Sequence, residues 1–453
     1  MSFEISNELI NQVKHLIKDE GDTRLQDMLS EIHFADIAEI IEELNLYQAT
    51  YLIKLLDSEK SSEALMELEE DFRERILDNL SVKEIAEELE EMDTDDAADV
   101  IAELPEDRAE EVIAEIEIED EKLAEDIKEL LTYEEDTAGG LMAKELVKVK
   151  ETWTVAGCVR EMRRQAEKVT RVHSIYVVDK DERLKGRLSL KDLLTASAKA
   201  HISEVYIPKV DYVNVDTDGE EVARIMQKYD LEAIPVVDHE TTLVGRITID
   251  DMVDFIKDEA EKDYQMAAGI SQDVEADDNV WELTRARLPW LILGLFGGLG
   301  SVFIMEGFEE LMTNPKYKSL FFYTPLIAAM AGNVGVQSSA IIVQGLANDN
   351  VKGSLWNRLL KEIGLSLING IALALLIIVF GFIMNYEISF SLTIAAALMS
   401  VIIVAALIGT FVPIILDKRG IDPAIATGPF ITTSNDIFGI FLFFYIAKLI
   451  LHF

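Results

Sequence analysis

"ITTSNDIFGIFLFFYIA", residues 431–447, reads as a membrane-embedded helix in every position but one. Asp436 interrupts an apolar run that extends from about Ala424 to Ala447, with no Lys or Arg inside it to pair with the carboxylate. A charge at a helix centre costs about 2.5–3.5 kcal/mol on insertion scales, so an intramembrane Asp marks a functional position.

Working outward, five apolar stretches follow Pro289, at approximately 289–308, 319–347, 363–384, 390–416 and 424–451. Each is near the roughly 20 residues that cross hydrocarbon. Basic residues set the orientation. Arg285 and Arg287 precede the first stretch, Lys352, Arg358 and Lys361 lie between the second and third, and Lys418 and Arg419 between the fourth and fifth. All three groups share one side if the N-terminus is cytoplasmic, against the counter-signal of Lys316 and Lys318. The polar, mildly acidic start "MSFEISNELINQVK" is unlike a secretory signal. The expectation is a multi-pass protein of the cell (inner) membrane, its N-terminal part cytoplasmic and its C-terminal "LHF" outside.

Two stretches carry chemistry. "PLIAAMAGNVGVQSSA" sets Asn333 and Gln337 among small residues, where Gly332 and Gly335 allow close backbone approach. Read alone, these amides serve equally as oxygen ligands or as glue between helices. In the fifth stretch Gly428-Pro429 precedes Thr432, Thr433, Ser434, Asn435 and Asp436. A proline within the helix is expected to free a carbonyl near Ile425. The set is all oxygen, without His, Cys or Met, and suits a hard hydrated cation. One carboxylate is little charge for a divalent ion, so a two-fold homodimer bringing two Asp436 together is the economical arrangement.

The remainder is acidic. Residues 1–287 carry 33 basic and 75 acidic side chains, against 8 and 9 from Leu288 onward. That balance argues against nucleic acid as a partner and for cations. The single Cys158 allows no intrachain disulfide, and no nucleophile–base pair or P-loop suggests an enzyme. "IYVVDKDERLKGRLSLKDLL", 175–194, aligns without gaps on "IPVVDHETTLVGRITIDDMV", 234–253, with 8 identities in 20. Each copy reads as strand, turn, strand and a helix capped by Asp192 or Asp251, preceded by a helix at about 154–168 or 217–229. Neither copy covers its own sheet, so the two should pack as a pseudo-symmetric module. Upstream, "FADIAEIIEEL" (34–44), "VKEIAEELEEM" (82–92) and "TDDAADVIAEL" (94–104) share an alanine five positions in, a pattern of short helices stacked in a superhelix with acidic outward faces. Asp95 and Asp99, four apart, repel each other there. The segment 251–280 continues the last helix of the repeat toward the membrane, with Asp251, Asp254 and Asp258 along one face.

The repeat resembles a tandem CBS pair. The full order, with "YEEDTAGGLM" (133–142), "AGNVGVQSS" and "GPFITTSND", resembles the MgtE family of bacterial Mg2+ channels along nearly the whole chain. The resemblance implies a multi-domain fold: an all-α superhelical N-domain (1–132), an α/β tandem CBS pair (133–202 and 203–257), a long connecting or plug helix (258–284), and an all-α transmembrane domain of five helices (285–453). It implies a homodimer in the lipid bilayer whose axial pore binds hydrated Mg2+ at Asp436, with Thr432 lining the site and Asn333 and Gln337 as further pore oxygens. It also implies regulatory Mg2+ at Asp95, or its neighbour Asp96, and at Asp218, Glu220, Asp230, Asp251, Asp254, Glu259 and Asp263, and ATP in the CBS clefts. Lys262 departs from the family pattern; it either pairs internally or weakens one metal site. The function implied is Mg2+ import down its electrochemical gradient, closed by Mg2+ on the cytosolic domains. The alternatives are a transporter of Mn2+ or Co2+, an ion-coupled mechanism, or a Mg2+ sensor without transport.

Overall fold

The computed structural model describes residues 5–165, 171–271, 274, 278–313, 317–347, 351, 354–426 and 428–451. It divides into two compact units, Met1–Ile256 and Lys257–Phe453. Lys316, Lys352, residues 166–168 and the final His452 and Phe453 lie outside the described residues.

The first unit opens with ten short helices: α1 (Asn7–Lys18), α2 (Asp22–Leu29), α3 (Phe34–Glu42), α4 (Leu46–Leu55), α5 (Ser58–Met66), α6 (Glu70–Leu77), α7 (Val82–Leu89), α8 (Thr94–Glu103), α9 (Glu106–Glu119) and α10 (Glu121–Leu130). Polar caps start several of them. Asn45 and Ser81 each form a reciprocal capping box with the Gln48 or Glu84 three residues on, and Ser6 and Asp57 cap singly. The repeated alanines Ala38, Ala86 and Ala98 are buried, as a small residue at a helix contact should be. They share one core with Ile37, Ile41, Leu52, Leu65, Ile76 and Leu89. Within the stack, Arg73 pairs with Glu103 through both carboxylate oxygens and donates to the carbonyls of Met66 and Leu68, so a largely buried charge is satisfied on all sides.

The repeat follows. In the first copy β1 (Val147–Lys150) pairs in parallel with β2 (Ile175–Val178), which pairs antiparallel with β3 (Leu184–Leu188). In the second copy β4 (Val213–Asn214), β5 (Ala233–Val237) and β6 (Leu243–Thr248) reproduce the arrangement. Ile175 faces Leu188 and Ile234 faces Ile247, and both hairpins break register at the same place, Val177/Val178 and Val236/Val237. The helices are α11 (Val155–Gln165), α12 (Leu190–Thr195), α13 (Gly219–Tyr229) and α14 (Ile249–Ala268). One detail of the capping differs from expectation. Ser189 caps α12 and Asp192 returns the bond as its reciprocal partner; at α14, Asp251 likewise accepts from the amide and hydroxyl of Thr248.

The second unit holds α15 (Val280–Glu306), α16 (Glu309–Thr313), α17 (Thr324–Ala347), α18 (Leu355–Ile383), α19 (Ile388–Asp417) and α20 (Gly428–Leu451). Among the described residues, five helices, one including the 3-10 turn before α17, are long and apolar enough to cross a membrane. The connecting segment is not one helix: α14 stops at Ala268, and Gly269 follows in the left-handed region, φ +82°. Pro289, taken as the start of the first span, sits inside α15, so Arg285 and Arg287 are on the helix itself. Pro429 falls in the first turn of α20 rather than within a helix begun at Ala424. There its missing N–H leaves no carbonyl orphaned, so the carbonyl expected near Ile425 is not freed by it. The core of this unit is α19, whose Ala397, Val401, Ala405 and Ala406 are buried. A Cβ on Gly409 would lie 2.3 Å from the Gly335 carbonyl oxygen, and one on Gly335 would lie 1.7 Å from Asn435 Nδ2. The three helices α17, α19 and α20 therefore cross where only glycine fits.

Candidate functional site

The crossing of α17 and α20 positions the membrane carboxylate. Asp436 is half-buried on α20, and its Oδ1 lies 3.6 Å from where a Cβ on Gly332 would stand. Thr432, one turn earlier, has its methyl 3.1 Å from where that same Cβ would stand and donates its hydroxyl to the Gly428 carbonyl at 2.9 Å. The structure thus brings Asp436 and Thr432 together against Gly332. Asn333 and Gln337, four apart on α17, lie on an exposed face. Asn435 is fully buried beside Gly335, with neither amide atom partnered among the described residues. At the start of α20, Gly428 (φ +49°) faces the Ala267 carbonyl, where a Cβ would come to 2.1 Å, so the end of α14 abuts the first turn of the carboxylate-bearing helix.

In the first unit the acidic groups gather where α8 meets the second repeat copy. The expectation of a solvated outward face fails for Asp95, which is 8% exposed. Helix α8 is docked there by Thr94. Its hydroxyl donates to Glu145 at 2.9 Å and accepts from the Lys144 amide at 2.8 Å, so the face that periodicity marks as outer is covered. Burial, with the charges of Asp96, Asp251, Asp93 and Glu145, holds the Asp95 carboxyl well above the usual range. Burial, then Asp251 and Asp93, pushes Asp96 up to about 8, and burial and Glu145 push Asp93 up to about 6 despite Arg246. Glu63 also adds its charge to Asp93 and Asp96. Neither Glu63 nor Glu145 was marked by the sequence; a hairpin-length search near Asp95 would not reach them. Hard carboxylate oxygens of uncompensated charge suit Mg2+. Among the described residues, however, no three His, Cys, Asp or Glu side chains form a ready metal cage. A cation here would have to draw the carboxylates inward.

The other expected regulatory positions are more scattered. Asp218 caps α13, accepting from the Glu220 amide at 3.0 Å, while Asp230 ends the same helix in the left-handed region. Eleven residues of helix hold Asp218 and Glu220 about 16 Å from Asp230 within one chain. Asp254 is exposed on α14. Lys262 pairs with Glu259 at 3.0 Å, the internal pairing foreseen as one of two outcomes. Partial burial and the charges of Asp422 and Glu259 raise the Asp263 carboxyl.

Among the described residues, clefts border the repeat. The larger, with about 310 Å³ of open space, is bordered by Tyr176, Arg187, Lys209, Leu231, Ala233 and Pro235. Two cations beside apolar and aromatic surface suit a phosphorylated ligand with a flat ring.

Family models match along the chain: a divalent cation transporter domain at 324–446, the MgtE intracellular N domain at 32–136, and CBS domains at 138–199 and 202–258. The chain is 36% identical over 448 residues to the magnesium transporter MgtE of Thermus thermophilus, covering 95% of this chain and 96% of that one. It is 35% identical to the magnesium transporter MgtE of Enterococcus faecalis, covering 73% and 72%. Among solved structures, the cytosolic domain of the Mg2+ channel MgtE in complex with ATP is 39% identical, with a TM-score of 0.51, covering 55% of this chain and all of that one. The soluble part of a magnesium transporter is 28% identical with the same TM-score, covering 56% and 98%. With five apolar helices following an acidic helical domain and a CBS pair, the chain belongs to the MgtE family of divalent cation transporters.

Proposed function

We propose that the chain is a Mg2+ channel of the cell membrane, importing the ion down its electrochemical gradient and closed by Mg2+ bound to its cytoplasmic domains. The observation that carries this reading is Asp436, half-buried on an apolar helix beside Gly332. A two-fold homodimer would set two such carboxylates across an axis, neutralising one divalent ion. Mg2+ dehydrates reluctantly, so few carboxylates acting through its water shell suffice. Thr432 fixes the helix turn beneath them, and Asn333 and Gln337, on the exposed face of α17, offer oxygens to the ion's water. The magnesium transporters that this chain resembles support the choice of ion.

Asp95, Asp96 and Asp251 are the first regulatory ligands in this reading, with Asp218, Glu220, Asp230, Asp254, Glu259 and Asp263 completing further sites. In this reading the chain is divided into N-domain, two CBS copies, connecting segment and pore domain, with the basic residues cytoplasmic and the C-terminus outside; α14 runs from the second CBS copy into the connecting segment. ATP is the ligand of the larger cleft, its phosphates toward Arg187 and Lys209. The solved cytosolic domain with ATP supports that assignment.

The test is Mg2+ flux into liposomes containing the purified protein, at low and high Mg2+ on the face bearing the soluble domains. Flux should be present at low Mg2+, suppressed at high Mg2+, and absent in Asp436→Asn at both. Mn2+ and Co2+ offered in place of Mg2+ measure selectivity. Flux in Asp436→Asn equal to the parent would remove the carboxylate from the pathway.

A further inference from the structure

The membrane-crossing helices hold a second carboxylate besides Asp436 that stands away from their ends. Glu282, Glu306 and Asp417 fall in the first or last turn of α15 or α19, whereas Glu362 lies within α18. Glu362 stands seven residues into α18, about 10 Å along it, and Asp436 eight residues into α20, about 12 Å. Successive spans alternate in direction, so both helices start on the side of the membrane where α17 ends.

Glu362 lies on the bundle-facing side of α18. Ser366 and Gly370, at successive four-residue steps along the same stripe, are buried, and a Cβ on Gly370 would come to 3.1 Å from Met399 of α19. Glu362 itself is half-buried, and Ser338 of α17, 7% exposed, donates its hydroxyl to Glu362 Oε1 at 2.7 Å. That is the length of a charge-assisted O–H···O bond, about 2.5–2.7 Å. No Lys or Arg pairs with Glu362 among the described residues.

On α17, Gly332, Gly335 and Ser338 stand three apart and meet three different partners. Gly332 lies against Thr432 and Asp436, Gly335 against Asn435 and Gly409, and Ser338 against Glu362. The two glycine contacts are contacts of shape: they hold the helices close but carry no directional bond. The buried Asn435 amide, unpartnered among the described residues, adds none. The hydroxyl–carboxylate bond is directional. A slip of α17 by one turn, about 5.4 Å, takes Ser338 out of reach of Glu362.

We propose that Glu362 is a positioning residue for ion passage: from α18 it fixes the axial register of α17 through Ser338, and so keeps Gly332 opposite Asp436. It acts as a hydrogen-bond acceptor and does not touch the ion. This role rests on the transport reading, because register matters to flux only where Asp436 meets the ion.

The experiment compares Glu362→Gln, Glu362→Leu and Ser338→Ala with the parent, all as full-length protein. Spin labels on Ile341→Cys of α17 and Phe438→Cys of α20, both exposed positions, in a Cys158→Ser background, read the distance between the helices. Liposome flux of Mg2+ and of Ca2+ gives a selectivity ratio. Glutamine keeps the acceptor oxygen and loses the charge, so Glu362→Gln should preserve both distance and ratio. Glu362→Leu removes the acceptor and Ser338→Ala the donor. Each should shift or broaden the distance, by up to the roughly 5.4 Å of one turn, and lower the ratio several-fold. Should Glu362→Leu fail to fold, Ser338→Ala carries both readouts. A bond that only stabilises the fold would lower the melting temperature and leave the ratio as it was, which would overturn the proposal. An unchanged distance in Glu362→Leu and Ser338→Ala would overturn it whatever the flux. So would loss of Mg2+ flux in Glu362→Gln to the level of Asp436→Asn, which would make Glu362 a ligand of the ion. If the parent passes no Mg2+, the transport reading fails, and the distance alone decides whether Glu362 sets the register of α17.

Discussion

Raising the pH from 5 to 8 without divalent cations should loosen α8 from the second repeat copy. Asp93, Asp95 and Asp96 at that junction have pKa values raised in the docked form, so the docked form holds their protons more tightly than the separated one. The stability they contribute is complete below the ordinary value of 3.8 and is lost as the pH climbs through about 6 for Asp93 and about 8 for Asp96. Asp93 alone, moving from 3.8 to about 6 with a side chain 31% exposed, removes about 1 kcal/mol over that interval once solvent screening is allowed for. That is a roughly fivefold fall in the docking equilibrium. Asp95 and Asp96 act in the same direction.

Hydrogen exchange of the α8 amides, expressed as protection factors corrected for the intrinsic pH dependence, reads this directly. Protection should fall at least fivefold from pH 5 to pH 8 in chelator. Saturating Mg2+ should restore it at pH 8 and add little at pH 5, where protons already neutralise the cluster. Protection that is equal or greater at pH 8 in chelator would refute the argument that these carboxylates are buried at a cost.

Gly409→Ala should destabilise the membrane unit by about 1–3 kcal/mol, because its methyl meets the Gly335 backbone at 2.3 Å and the helices must part. Gly364→Ala, with nothing within 4 Å, should be neutral or stabilising, and thermal unfolding in detergent compares the two. Arg73→Met strands the buried Glu103 carboxylate and should cost about 3–5 kcal/mol, read as a lowered denaturant midpoint of the first unit. Lys262→Gln frees Glu259 from a partly exposed ion pair worth at most about 1 kcal/mol, so the Mg2+ concentration that halves liposome flux should fall no more than about fivefold.

The membrane helices were legible because hydropathy needs no knowledge of partners, and the two hairpins because a 59-residue offset carries register with it. Helix ends were less so. A proline can begin a helix as well as break one, and only the start of α20 at Gly428 decides which Pro429 does. The acidic junction was half-legible. The Asp cluster on α8 stands out in composition, but which face is covered depends on Thr94 meeting Glu145, 51 positions away. Arg246 was visible only as a repeat residue. Its burial, and its contact with Asp93 across 153 positions, belong to tertiary structure alone.

Electrostatics sets how many regulatory sites the proposed gate needs. Turning a gate from mostly open to mostly closed takes about 5.5 kcal/mol. A site at ten times its Kd, binding only the closed form, supplies about 1.4 kcal/mol. About four such sites are needed, which is two per chain in the proposed homodimer, and the acidic junction at α8 is taken as one of them. A second would come from carboxylates elsewhere, and the α14 group of Glu259 and Asp263, with Asp422 nearby, is one further place where described carboxyls crowd one another. A channel that kept the junction at α8 but lost that second group would still bind regulatory Mg2+, yet would close only in part.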